Sequence, residues 1–544
     1  MFKKCFCIFL TFISVQFLFA QQAPISRPKL VVGIVVDQMR WDYLYRYHEK
    51  YQTDGGFNRL LSQGFSCENT FIPYTPTITA CGHTCIYTGS VPAIHGITGN
   101  GWWDAIENRG VYCTEDDSVQ TVGGIGDGGQ QSPKNMLATT IGDELRLATN
   151  FQSKVIGIAL KDRGGILPAG HSANAAYWYN SADGNFITST YYMQKLPAWV
   201  ENFNKQKLAD KYFSQDWNLL YPAATYTQST ADEKNYESKP FGGDQKKFPY
   251  NLKKFVQKNY GVLPATPYGN SITMEMAKAA IDGEQLGADA VTDFLAVSFS
   301  STDYVGHSFG PNSIEAEDTY LRLDKDLGEL MNYLDTKVGK GQYLLFLSAD
   351  HGVAHVPGFS IENKLPGGMF SSSKLSKELN DTLKQKYGQD GLVVSMNNYQ
   401  VHFNNQKIKN KKIDKKEMIQ DVIELVQKKE GVARVFALEN LGNVPMPEKI
   451  KKMIENGYYP MRGGEIQIML KPGYIDAYSA TGTTHGSWNP YDSHIPLVWY
   501  GWNIKQGKST REVYMTDIAS TVCAMLQIQM PSGSIGNVIE EVIK

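Results

Sequence analysis

The sequence predicts an α/β fold, a three-layer α/β/α sandwich with a mostly parallel central sheet, and three observations predict it. Short runs rich in β-branched residues recur along the chain, they are apolar at consecutive positions, and amphipathic helical patterns separate them. Apolarity on both faces marks strands buried between two helical layers. Alternation of strand and helix builds such a sheet, and its ligand sites collect at the C-terminal ends of the strands.

The chain opens with residues 1–20, MFKKCFCIFLTFISVQFLFA, in which Lys3 and Lys4 precede an apolar run closing on Ala20. That layout is a secretory signal peptide. A membrane-spanning helix wants about twenty apolar residues; this run is shorter and gives way at once to QQAPIS. Cleavage near Ala20 would leave residues 21–544 periplasmic or secreted, with no stable membrane anchor. The runs LVVGIVV (30–36), KVIGIAL (154–160), FLAVSF (294–299), YLLFLS (343–348) and IPLVWYG (495–501) are expected as buried parallel strands. Between them, Tyr320, Leu323, Leu327, Leu330 and Leu334 step by three and four along one helical face. A second stripe runs Met515, Ile518, Val522, Leu526, with Thr516 as its capping candidate.

Two segments break the alternation. Residues 165–265, rich in Tyr, Asn, Asp and Lys, are expected as an insertion or cap. Residues 360–475 carry a strand-like NYQVHF, a basic turn NQKIKNKK, the helical KKEMIQDVIELVQKK and VARVFAL, expected as an inserted α+β subdomain with the basic turn a solvated hairpin tip. Gly124 to Gly129 satisfy G-x-G-x-x-G, but QQSPKN follows instead of an apolar helix, so the stretch is expected as a loop. Beyond the signal, Cys67, Cys81, Cys85, Cys113 and Cys523 remain, an odd set that cannot form a complete disulfide framework. A net charge of -2 argues against a general nucleic-acid surface.

Four apolar runs end in residues capable of chemistry. Asp37 follows the first, Lys161 and Arg163 the second, Asp303 and His307 the third, Asp350 and His351 the fourth. Each alone reads as a cap or a structural pair. Together they suggest metal ligation, because Asp303 and His307 stand four apart on one helical face and Asp and His are ligands that zinc accepts. His485, in the Gly/Thr-rich TGTTHGS loop, would complete a set of Asp303, His307 and His485 with an open position. Asp37, Asp350 and His351 would form a second. His494 precedes a strand and is expected to be structural, as are His83, His95, His171 and His355; His48 and His402 have no chemical company.

The motifs D-x-x-R-x-x-Y-L from Asp37 to Leu44, TACGHT, HGITGN, DYVGH-x-x-GP, S-x-DHG and THG run in order through almost the whole mature chain. In that order they resemble the alkaline phosphatase superfamily, in particular the branch of nucleotide pyrophosphatase/phosphodiesterases and PafA-type alkaline phosphatases. The resemblance implies an alkaline phosphatase-like fold with two zinc ions and a nucleophile, Thr79, four residues before His83. Thr79 would also be a metal ligand, activated as an alkoxide, and its helix start would turn backbone N–H groups toward phosphoryl oxygens. Thr75 and Thr77 are the more natural caps for that helix. The resemblance further implies that Asn100 contacts a non-bridging phosphoryl oxygen.

The same resemblance separates monoesters from diesters. Lys161 and Arg163 match a pair that contacts the transferred phosphoryl group in PafA-type enzymes and that the diesterase relatives generally lack. A monoester's extra anionic oxygen needs such partners, and preorganised donors stabilise its developing charge. The expected substrates are small phosphate monoesters and the expected state is a monomer. A phosphodiesterase or nucleotide pyrophosphatase sharing the metal site is the nearest alternative. A non-catalytic periplasmic phosphate- or metal-binding protein is the alternative of another class. No C-x-P-x-R or S-x-P-x-R sequence supports a sulfatase.

Overall fold

The computed structural model describes residues 26–543 except residue 244, so the signal peptide expected at residues 1–20 lies outside the described residues. The central sheet is built from β1 (Leu30–Val36), β2 (Phe65–Phe71), β3 (Val155–Ala159), β4 (Ala175–Asn180), β5 (Asn185–Ser189), β6 (Asp293–Phe299), β7 (Tyr343–Ser348), β8 (Leu497–Gly501) and β9 (Gly507–Tyr514). In space these run β2-β8-β7-β1-β6-β3-β4-β5, with β9 pairing β2. The five strands from β7 to β4 are mutually parallel. At the centre every residue of β1, β6 and β7 is buried, as the doubly apolar runs require.

One expected strand points the other way. Residues 497–501 are antiparallel to β7, pairing Leu344 with Gly501 and Ser348 with Leu497. Apolarity on both faces reports burial and carries no information on direction, which is why IPLVWYG read as parallel. β2 lacks such a continuous apolar run, since FSCENTF has half-buried Glu68 and Asn69 at its middle.

Six helices bear on the site: α1 (Thr79–Thr88), α2 (Asp162–Ala169), α3 (Tyr268–Glu284), α4 (Ser301–Phe309), α5 (Ile314–Leu334) and α6 (Asp517–Leu526). The expected stripe from Tyr320 to Leu334 lies on α5 and is buried throughout. Thr516 precedes α6, but its side chain makes no capping bond; Asp517 accepts instead from the backbone N–H groups of Tyr514 and Asn537. α1 lies across the sheet, anchored where the Tyr87 hydroxyl donates to the Gly33 carbonyl at 3.1 Å.

Within residues 165–265, β4 and β5 extend the main sheet, the helical residues 198–213 lie against α3, and residues 230–238 reach the corner between α4 and α5 through Ser238 N–H to Ser308 O and Thr230 N–H to Asn312 O. Residues 360–475 hold a four-stranded sheet, ordered 393–395, 400–403, 466–470 and 432–437, with a separate apolar cluster around Leu379, Val401, Met418 and Ile466. The basic turn is not a hairpin tip: Asn405–Lys411 is helical, its start capped by the Asn404 side chain accepting from Lys407 N–H. That cap and the good helix formers that follow outweigh the turn reading of its charge. Residues 123–130 form a loop, as expected, and Cys67, Cys81, Cys85, Cys113 and Cys523 are all buried and unpaired. No helix among the described residues is long and apolar enough to cross a membrane.

Candidate active site at the C-terminal edge of the sheet

Because β1, β3, β6 and β7 are parallel, their C-terminal ends emerge on one edge and deliver Asp37, Lys161, Asp303 and Asp350 to one place. The loop containing residues 483–486 brings His485 over them, and Thr79 opens α1 beside them. All seven of the expected metal-site residues except His307 are buried, and His307 is about half-buried among them.

The histidines share a feature that spacing could not reveal. His307 Nδ1 donates to Thr483 O at 2.7 Å, His485 Nδ1 to Thr77 O at 2.6 Å, and His351 Nδ1 to Gly352 O at 2.9 Å. A carbonyl only accepts, so each bond leaves the Nε2 lone pair free. Those Nε2 atoms face carboxylates: His307 stands 3.1 Å and His485 3.8 Å from Asp303 Oδ1, and His351 3.6 Å from Asp37 Oδ1. Such backbone acceptors behind the ring are the usual support of metal-binding histidines. His83 differs, because Thr79 O takes its Nδ1 and the Ser298 hydroxyl its Nε2, both at 2.9 Å. It is structural, as are His494, bonded to Glu68 O, and His355, bonded to Asn312.

Among the described residues, two groups have ligand atoms that all lie within 4.8 Å of one another inside the group: Asp37, Asp350 and His351, and Asp303, His351 and His485. The first matches the expected set. The second contains His351 where His307 was expected, with His307 reaching Asp303 from the side; His351 and His485 stack with centroids 3.4 Å apart. The hydroxyl of Thr79 lies 3.3 Å from Nε2 of His351, the ring common to both groups.

The charges here compete. Burial, then the Asp303 and Asp350 charges, push Asp37 well above the usual carboxylate range, and its Oδ1 has no hydrogen-bond partner. Burial also opposes ionisation of Asp303, but His307 and Lys161 outweigh it and hold that carboxyl well below its usual value. Burial drives His485 well below its ordinary value, with the His351 and His307 charges adding to the effect. A pocket of clustered carboxylates and Nε2-presenting imidazoles is a fit for divalent metal.

Lys161 does more than the sequence suggested. Its ammonium donates to Asp37 Oδ2 and Asp303 Oδ2, each at 2.6 Å, and so joins the two donor groups. Arg163 stands apart from these acids. Its guanidinium donates to the Tyr112 hydroxyl at 2.9 Å, which donates in turn to Asp162, and its buried Nε has no partner. Asn100 is held at the start of α1, where its carbonyl oxygen accepts from Ala80 N–H at 3.0 Å and leaves its amide hydrogens to donate. Neither Thr75 nor Thr77 caps α1: their hydroxyls go to the carbonyls of Gly486 and Ser487. Those bonds tie the Thr79 segment to the His485 loop instead.

Several positioning contacts were invisible in the sequence. Gln38, at φ 65°, donates from Nε2 to Asp303 Oδ1 at 2.6 Å and from its backbone to Asp350 Oδ1 at 3.1 Å. A Cβ on Gly306 would stand 1.8 Å from the Gln38 Oε1, which accounts for the glycine in DYVGH. From the 360–475 segment, Asn398 donates to Thr98 O and Arg462 to Gly96 O, steadying the HGITGN loop that carries Asn100. Gly82 presses α1 against Asp350, one of the expected ligands, since a Cβ there would lie 2.3 Å from Asp350 O. Gly82→Ala is expected to displace Asp350 and weaken metal retention by roughly 10- to 100-fold, the scale of disturbed ligand support; metal content against competing chelator checks it.

A family profile described as type I phosphodiesterase / nucleotide pyrophosphatase matches residues 31–492. The chain is 55% identical over 520 residues to alkaline phosphatase PhoV of Synechococcus elongatus, covering 96% of this chain and 94% of that protein. It is 53% identical over 524 residues to a Myroides odoratus protein named calcium-transporting ATPase, covering 96% and 95%. The crystal structure of wild type alkaline phosphatase PafA superposes with a TM-score of 0.94 at 50% identity, covering 96% of this chain and 100% of that one.

Proposed function

The chain belongs to the type I phosphodiesterase / nucleotide pyrophosphatase family and, within it, to the PafA-type alkaline phosphatases, phosphoric monoester hydrolases, and from that premise we propose that Thr79 is its nucleophile at a centre of two zinc ions, reached after export from the cytoplasm. The observation that carries this reading is the placing of the Thr79 hydroxyl 3.3 Å from His351 Nε2. It sits among imidazoles whose free lone pairs all turn inward.

Asp37, Asp350 and His351 would hold one ion, and Asp303, His307 and His485 the other, with Thr79 also in reach. Zinc supplies, when bound, a lowered pKa for a coordinated hydroxyl and neutralisation of charge on reacting oxygens. The protein's own part is then positional and electrostatic. Thr79 Oγ1, its proton given up to solvent, forms a bond to phosphorus as the ester P–O bond breaks, and the departing alkoxide takes a proton from solvent. Water then cleaves the phosphothreonine, releasing phosphate and restoring the hydroxyl. Asn100 donates its amide hydrogens to the phosphoryl oxygens from the start of α1. Arg163 directs its guanidinium to the extra anionic oxygen of a monoester, oriented by Tyr112 and Asp162. Lys161 contributes positive charge to the same group and holds Asp37 and Asp303 in place between the two ligand sets. Export rests on the signal-like residues 1–20.

Arg163 provides the cleaner test of monoester preference, because Lys161 is also bonded to two ligand carboxylates. Arg163→Ala is expected to lower kcat/KM for an aryl phosphate monoester on the order of a hundredfold, the cost of one preorganised donor. Turnover of the matching bis-aryl diester should change by less than about threefold, since a diester lacks the second anionic oxygen that Arg163 would meet. Equal losses on the two substrates would remove Arg163 from the phosphoryl site.

A further inference from the structure

One turn of the inserted segment, residues 397–399, reaches the catalytic edge just before the strand 400–403. Asn398 and Tyr399 stand there in succession at φ 59° and 58°. Asparagine tolerates the left-handed region, whereas a bulky tyrosine in it is strained. Such strain persists only where surrounding contacts over-determine it, and a buried pair of glutamines supplies them. Gln467 Nε2 donates to Tyr399 O at 3.2 Å, Gln400 Nε2 donates to Gln467 Oε1 at 3.1 Å, and Gln400 Oε1 accepts from Gly464 N–H at 2.8 Å.

The two side chains of this turn go to two loops of the active site. Asn398 donates from Nδ2 to Thr98 O at 3.1 Å and, over a longer 3.4 Å, to Gly101 O, so that it grips the chain on either side of Asn100. Both partners are carbonyls, which only accept, and this fixes which end of the Asn398 amide faces them. The amide lies so close over the neighbouring Gly99 that a Cβ there would stand 2.4 Å from Nδ2. Tyr399 lies against the His485 loop: a Cβ on Gly486 would stand 3.3 Å from the Tyr399 ring and 3.3 Å from Ile78 Cδ1, in the residue before Thr79. Asn100 is otherwise held by Ala80 N–H on its side-chain oxygen and by Cys113 N–H on its backbone oxygen, each at 3.0 Å.

We infer that Asn398 is a positioning residue for phosphoryl transfer, through which the inserted segment sets the place of Asn100, a role that rests on Asn100 donating to the phosphoryl oxygens as proposed above. Asn398 acts through the carbonyls of residues 98 and 101 and not on substrate. A donor stabilises developing charge to the extent that it is preorganised, and a misplacement of about 1 Å can cost on the order of a hundredfold in rate. Merely fastening one segment to another calls for no left-handed tyrosine. Backbone strain that aims two consecutive side chains at two loops of one pocket belongs with chemistry that depends on their placement.

The test is kinetic, on the zinc-loaded mature enzyme, with Asn398→Gly made both in wild type and in Asn100→Ala. Glycine removes the amide and accepts φ 59° without strain, so melting temperature and zinc content should stay near those of each parent. In wild type, kcat/KM for an aryl phosphate monoester should fall on the order of tenfold, less than the roughly hundredfold cost of a donor lost outright. In the Asn100→Ala background the same substitution should change it by less than about twofold, because the group it positions is gone. Asn398→Ala should repeat the kinetic losses and melt lower, since alanine is strained at positive φ. Loss of zinc, or the same fold loss in both backgrounds, would make the turn a general brace and overturn the role of Asn398. Unchanged turnover in Asn398→Gly, with Asn100→Ala impaired, overturns it and leaves the reading of Asn100 standing. An unimpaired Asn100→Ala removes both.

Discussion

Thr79→Ala is expected to reduce kcat/KM for phosphate monoesters on the order of 10⁴-fold or more, the scale on which hydrolases lose turnover with their nucleophile. Alanine removes the Oγ1 that lies 3.3 Å from His351 Nε2 and leaves the backbone of α1 as it was. The histidines proposed as ligands keep their orientation, because their Nδ1 bonds run to the carbonyls of Thr77, Thr483 and Gly352. Zinc content and melting temperature should therefore stay close to wild type while turnover collapses. Brief acid quench of the wild-type enzyme with labelled substrate should place phosphate on Thr79. An alanine variant within tenfold of wild type, or label found on another residue, would sink the assignment.

Removing metal is expected to be as damaging to turnover and worse for the fold. Charge stabilisation by metal amounts to several kcal/mol, and at about 1.4 kcal/mol per tenfold its loss should leave less than about one part in 10³ of the loaded rate. Without metal, Lys161 is the cation joining Asp37 and Asp303, while Asp350 retains His83 at 3.2 Å and Gln38 N–H at 3.1 Å. Three carboxylates then share one buried pocket, so the melting temperature should fall with the activity. Both should return on adding zinc. Ligands bind only when deprotonated, so zinc should leave more readily as the pH falls. Full activity in chelator-stripped protein, verified metal-free, would defeat the metal reading of Asp37, Asp303, His307, Asp350, His351 and His485.

Much of this protein is legible in one dimension. The runs at 30–36, 294–299 and 343–348 became β1, β6 and β7 because continuous apolarity has no soluble alternative to burial in a layered sheet. The acids after them had to meet, since parallel strands end on one edge. Direction was less legible: residues 497–501 are as apolar as their neighbours but antiparallel to β7. The basic NQKIKNKK became a helix because a cap at Asn404 and local helix propensity outweighed its charge.

The sequence by itself determined the layered fold, the residue types at the strand ends and the ordered motifs around Thr79, because these follow from periodicity and from short spacings along the chain. Only the tertiary structure decided how those residues divide the work. It put His351 in both donor groups, turned the free nitrogens of His307, His351 and His485 inward while occupying both of those on His83, and set Lys161 between Asp37 and Asp303. The physical reason is the origin of the partners. The carbonyl that orients His485 belongs to Thr77, and the hydroxyl that occupies His83 belongs to Ser298, each hundreds of residues away in sequence. A ring nitrogen's role is fixed by the bond its opposite nitrogen makes, and only folding brings that acceptor within reach.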